Sequence, residues 1–151
     1  MPIQIIAVGK KHENWIEDGL ERYQKRLRKP FNVEWVLLPH SALNGQQARQ
    51  EESERILSRL DDSQYLVLLD ERGKQLDSIA FSGLLSKELE MKKVVFVIGG
   101  AYGVNEALME RADSVLSLSL LVFPHQLVRL ILIEQLYRAQ EIAGGRPYHH
   151  E

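Results

Sequence analysis

The feature that most restricts the architecture of this chain is an alternation kept from one end to the other: short β-branched or aliphatic runs, each followed by a segment with apolar residues at helical spacing. Ile3 to Val8, Phe31 to Leu38, Gln64 to Leu69, Val94 to Ile98 and Ser114 to about Ser119 read as strands. Helices are expected over about 13–28, 46–60, 77–90, 105–112 and 125–143. Trp15, Ile16, Leu20, Tyr23 and Leu27 give the first helix its apolar stripe, and Pro30 stops it. Asp77 or Ser78 can cap the third, with Ile79, Leu85 and Leu89 facing inward. The second, rich in Glu and Arg, reads as a surface helix, and Asp70 to Lys74 as a polar turn. Such alternation with short links means an α/β fold, a mostly parallel sheet flanked by helices. A chain of 151 residues without linker or repeat is expected to form one domain over 1–151.

Composition removes several classes of function. With no cysteine there is no thiolate nucleophile, iron–sulfur cluster or Cys-ligated zinc. The longest apolar runs, Tyr65–Leu69 and Val94–Ile98, fall far short of the roughly 18 residues of a membrane span. The first residues lack the basic and long apolar regions of a signal peptide, so a cytoplasmic protein is expected. The net charge of −2 argues against a nonspecific nucleic-acid coat. Arg22, Lys25, Arg26, Arg28 and Lys29 nevertheless form a local basic patch, either a solvated helix face or a contact for phosphates.

Four constellations can carry chemistry. Gly99-Gly100-Ala101-Tyr102-Gly103 follows the most hydrophobic strand, at the carboxyl end where open α/β sheets place ligands. It is neither G-x-G-x-x-G nor a phosphate loop, and it is either a tight turn or a place where backbone meets ligand. Leu118 to His125 is too apolar to lie open in water, and an adenine ring, a second subunit or the core itself would suit it. The last helix is apolar on most of its circumference, more than a one-domain surface helix requires, which suggests a subunit interface. Glu134 and Arg138 on it read as a local ion pair, whereas Arg129, near the apolar loop, reads as functional or as a structural salt bridge. The tail Arg146-Pro147-Tyr148-His149-His150-Glu151 gathers a guanidinium, a phenol and two imidazoles beyond the last helix, where nothing in the fold obviously requires them.

Several motifs occur together in order: Ala7-Val8-Gly9-Lys10, Leu68-Leu69-Asp70 with Gly73-Lys74, Val97 to Gly103, Leu116-Ser117-Leu118, Phe123-Pro124-His125-Gln126, Val128-Arg129, Glu134 to Ala139 and the closing Pro-Tyr-His-His. Over its whole length the chain resembles the RlmH (formerly YbeA) family of SPOUT-superfamily methyltransferases of large-subunit ribosomal RNA. The resemblance implies a trefoil-knotted α/β domain, a homodimer, S-adenosylmethionine as methyl donor, and N3-methylation of a pseudouridine in helix 69 of 23S rRNA within the assembled ribosome. It implies cofactor contacts at Leu69, Gly100, Leu118, Ser119, Leu120, Leu121, Val122 and Phe123. Tyr148 and His149 match the tail that serves the reaction, and His150 stands where some relatives carry Arg or Lys.

Methyl transfer from a sulfonium is an in-line displacement that needs positioning rather than a metal or covalent nucleophile. In this reading His149 takes the N3 proton, Arg129 stabilises charge on the flanking carbonyl oxygens, and Tyr148 stacks on the base. A ribosome-binding factor without catalysis would need no nucleotide-shaped loop. An adenine-nucleotide-binding protein would need no Tyr-His-His tail. Both features are present, which favours the methyltransferase.

Overall fold

The computed structural model describes residues 1–150. Within them, strands β1 (Ile3–Val8), β2 (Val33–Leu38), β3 (Gln64–Lys74), β4 (Lys93–Ile98) and β5 (Ser114–Leu116) alternate with helices α1 (Asn14–Gln24), α2 (Gly45–Leu57), α3 (Ser78–Leu89), α4 (Glu106–Arg111) and α5 (His125–Ala143). All strand pairs are parallel, in the order β2-β1-β4-β3-β5. A parallel sheet is stable only with both faces covered, which is why β1 and β4 are apolar almost without a break. On one face Ile16 and Leu20 of α1, Phe81 and Leu85 of α3, and Leu132, Ile133 and Leu136 of α5 pack on Ile3, Ile5 and Phe96. On the other, Ile56 of α2 and Leu108 of α4 meet Ile6, Leu66, Leu68, Val95 and Val97.

Every expected element is present, with informative differences. β3 does not end at Leu69: Asp70 to Lys74 continues it past a register shift until Lys74 pairs with Leu116. Asp70 turns back on Arg72, accepting from its amide and from two guanidinium nitrogens, each at 2.9 Å. At Gly73 a Cβ would lie 2.5 Å from the Val115 carbonyl, so only glycine lets β3 and β5 approach there. β5 stops at Leu116, short of Ser119. α1 ends at Gln24, after which the Arg26 and Leu27 amides close tight turns on Tyr23 and Gln24. In α3, capped by Asp77, Phe81 takes the inward place expected of Ile79, which is exposed. α2 is not simply a surface helix, because Glu52 and Ser53 are buried on its inner side. Much of the apolar circumference of α5 is used within the chain, since it packs against both α1 and α3.

Candidate active site

The carboxyl ends of β3, β4 and β5 open into a cavity of about 470 Å³, within the range usual for small-molecule sites. Leu69 and Asp70 line it from β3, the Gly99–Gly103 turn from β4, and Leu118, Ser119, Leu121, Val122, Phe123 and His125 from the chain after β5. The turn is closed by a bridge between Gly100 and Gly103, and the Arg49 Nε donates to the Tyr102 carbonyl at 2.9 Å. Two serines organise the apolar loop. The Ser117 hydroxyl donates to the Ser119 carbonyl at 2.8 Å, and the Ser119 hydroxyl accepts from the Leu121 amide at 3.0 Å. The loop therefore keeps its shape with Leu120, Leu121 and Val122 at 80%, 71% and 79% exposure, a degree that single-chain packing does not account for.

The chemistry around the cavity is distinctive. Glu52 is only 4% exposed; its Oε2 accepts from the Ser41 amide at 2.9 Å, while its Oε1 has no hydrogen-bond partner. A Cβ on Gly100 would stand 2.5 Å from that Oε1, so the glycine turn and the carboxyl group touch. Asp70 is held below the usual carboxylate range by the Arg72 guanidinium. Burial pushes His125 down, assisted by Arg129 and His40 and opposed by the Gly99 backbone and Glu52. Leu69, Leu121, Val122 and Phe123 beside the glycine-rich backbone of Gly99 to Gly103 fit a purine ring, and Arg49, Asp70, Glu71 and Arg72 give the same lining charges of both signs. No Lys-Ser/Thr follows the glycine turn, so the cavity lacks the cradle of a phosphate loop.

Comparison with known proteins agrees with this geometry. The family model described as predicted SPOUT methyltransferase matches residues 1–149. The chain belongs to the SPOUT methyltransferase family. Relatives named ribosomal RNA large subunit methyltransferase H include those of Parabacteroides distasonis, 40% identical over the whole of both chains, and Acetivibrio thermocellus, 42% identical over 99% of each. That of Geobacter metallireducens is 41% identical, again over 99% of each chain.

In this SPOUT domain Leu69, Gly100, Leu118, Ser119, Leu121, Val122 and Phe123 converge on one cavity, whereas Leu120 points to solvent and does not line it. Arg129 is elsewhere than expected. Its side chain is fully buried and turned toward the β1–α1 loop, donating to the carbonyls of Val8 and Gly9 at 3.1 Å each and of Lys11 at 3.2 Å, with His12 Nδ1 at 3.1 Å. No carboxylate pairs with it among the described residues, so the salt-bridge alternative is replaced by a cage of carbonyls. Burial lowers its affinity for the proton, as it does for His12, where Arg129 adds to the effect.

The tail is likewise tied down rather than free of the fold. The Tyr148 hydroxyl donates to Glu134 Oε2 at 2.8 Å, and its ring packs edge-on against Tyr137 and under the Arg138 guanidinium, 4.8 Å from the ring centre. Burial pushes the Tyr148 phenol up, with Glu134 adding to it. His149 Nδ1 lies 3.0 Å from Arg138 Nη1, and the expected Glu134–Arg138 pair is present at 2.7 Å. Glu134 follows His125 along α5 by roughly 13 Å at 1.5 Å per residue, so the tail does not reach its own chain's cavity. Sequence reasoning missed Glu52, whose neighbours Glu51 and Glu54 gave it no separate signal. Glu151 of the expected tail lies outside the described residues.

Proposed function

We propose that this chain is an S-adenosylmethionine-dependent methyltransferase acting on N3 of a pseudouridine in helix 69 of 23S rRNA, on the assembled ribosome in the cytoplasm. The cavity at the ends of β3, β4 and β5, where the Gly99–Gly103 turn faces Leu69, Leu121, Val122 and Phe123, carries the reading. The names of the full-length relatives support the ribosomal substrate, and the family's trefoil knot belongs to the same reading. No helix among the described residues is long and apolar enough to cross a membrane. Bound in the cavity, S-adenosylmethionine supplies an electrophilic methyl group. The protein holds the purine between the Gly99–Gly103 turn and the loop from Leu118 to Phe123, excludes water, and lets the backbone approach at Gly100.

The working unit in this reading is a homodimer. The exposed side chains of Leu120, Leu121 and Val122 call for a cover, and Tyr148 and His149, remote from their own cavity, can serve the reaction only at that of a second copy. There Tyr148 offers a stacking face and His149 a polar contact to the acceptor. Arg129 acts from behind, its charge fixed beneath the Val8 and Gly9 carbonyls. Isothermal titration with S-adenosylmethionine, joined to light scattering, tests the reading. Binding by a species of twice 17.4 kDa is expected, and a monomer that ignores the compound would refute it.

The basic segment tests the ribosomal part. Arg22, Lys25, Arg26, Arg28 and Lys29 are all exposed, while the Arg28 amide and the Arg26 carbonyl are fastened to Gln140 at 2.7 and 3.0 Å. The charges thus project from a fixed backbone. Replacing Arg22, Lys25 and Arg26 with Gln is expected to weaken ribosome binding and to reduce the log–log salt slope by close to one for each lost phosphate contact. An unchanged slope would return the segment to a solvated surface.

A further inference from the structure

Four charged side chains line the cavity, Arg49 from α2 and Asp70, Glu71 and Arg72 from β3. Two of them answer each other. The Arg72 Nε and Nη2 donate to the two Asp70 oxygens at 2.9 Å each, a two-pronged pair that uses up both charges. Among the described residues, neither Arg49 nor Glu71 enters an ion pair. The half-buried Arg49 is nevertheless held in place, because its Nε donates to the Tyr102 carbonyl at 2.9 Å. That contact ties α2 to the glycine turn and leaves both Nη groups without a protein acceptor. A planar fork with its Nε fixed and its two Nη groups idle is suited to the paired oxygens of a carboxylate or a phosphate.

The second idle charge decides between the two. A phosphate against Arg49 would share the cavity with the unpaired Glu71 carboxylate, which repels it. A ligand end that carries both a carboxylate and an ammonium group satisfies both residues at once. We propose that Arg49 and Glu71 recognise the α-amino-acid end of S-adenosylmethionine, the guanidinium taking its carboxylate and Glu71 its ammonium group, and thereby set the preference of the cavity for an adenosyl amino acid over a bare nucleoside or a nucleotide. The inference rests on the methyl donor proposed above. It divides the lining by task. Leu69, Val122, Phe123 and the glycine turn hold the ring by contacts that any adenosine compound can make, whereas Arg49 and Glu71 read the part that only this class of compound carries. Because Glu71 is exposed, water and salt screen its contact, and the one made by the half-buried Arg49 is the stronger of the two.

Calorimetric titration of the full chain with S-adenosylmethionine and with its decarboxylated form, which keeps the purine, the sulfonium and the ammonium group, isolates the carboxylate. The wild-type protein should bind the complete compound about 10-fold more tightly, the scale of one partly screened charge-assisted contact. Arg49→Gln should erase that preference, weakening S-adenosylmethionine about 10-fold and leaving the decarboxylated form bound as in the parent, which also shows that the variant is folded. Glu71→Gln should weaken both compounds alike, by roughly 2- to 5-fold. An Arg49→Gln protein that loses affinity for both compounds equally would reduce Arg49 to a strut for the Tyr102 carbonyl and overturn the inference. Unchanged donor binding with weakened ribosome binding would give the guanidinium to an RNA phosphate and overturn it as well. A wild-type protein that binds neither compound would instead overturn the donor reading on which the inference rests.

Discussion

Arg129→Met is expected to cost about 2 kcal/mol or more of stability, a large part of the net 5 to 15 kcal/mol that holds a domain together, since each buried carbonyl left without a donor costs about 1 to 3 kcal/mol. The guanidinium is 1% exposed and its two Nη atoms serve three carbonyls and His12. Removing it leaves the carbonyls of Val8 and Gly9 buried without donors and frees the loop that leads from β1 into α1. Denaturant unfolding measures the loss through the midpoint. A drop below about 1 kcal/mol together with abolished methylation would show that Arg129 serves the reaction directly instead of through the fold.

The second large effect belongs to Gly100. Adding a methyl group there places it 2.5 Å from Glu52 Oε1 and 3.2 Å from Val8 Cγ1, with the buried carboxyl group unable to swing into water. Overpacking of this kind costs about 1 to 3 kcal/mol, and here the turn that forms the cavity wall must move to relieve it. Gly100→Ala should therefore weaken S-adenosylmethionine binding by roughly 10- to 100-fold in calorimetry while the far-ultraviolet spectrum stays that of the parent. Gly83→Ala is the control, since nothing lies within 4 Å of its Cβ position in α3 and the change should stabilise the helix slightly. Undiminished binding by Gly100→Ala would remove the turn from the site.

What the sequence disclosed and what it hid follow from different forces. Strands such as Val94–Ile98 and the stripe on α1 announce themselves because burial on a regular period dictates residue type. The cavity was legible for a related reason: a glycine turn and an apolar loop are both costly unless something meets them. Asp70 to Lys74 was misread because that part of β3 is held by pairing with the edge strand β5 and by the Asp70–Arg72 contact, neither of which needs apolar side chains. Glu52 was hidden, as were the surroundings of Arg129, because a buried charge is recognised by its partners, and those partners, Ser41 and the carbonyls of residues 8, 9 and 11, are distant in the chain or are backbone. The anchorage of the tail could have been found locally, since Tyr148 has its acceptor, Glu134, on the helix that precedes it.

The placement of α5 bears on how the molecule comes into being. Leu132, Ile133, Leu136 and Ala139 of α5 complete the same apolar cluster as Ile3, Ile5, Ile16 and Leu20, which lie far earlier in the chain. A nascent chain that has emerged only as far as β5 therefore carries one face of its sheet only partly covered, with α1 and α3 lacking the helix that packs against both. Such a half-covered sheet cannot mature segment by segment during translation. Its final structure is reached only through contacts of very long sequence separation, which are slow to form and leave the unfinished chain prone to association with its own kind.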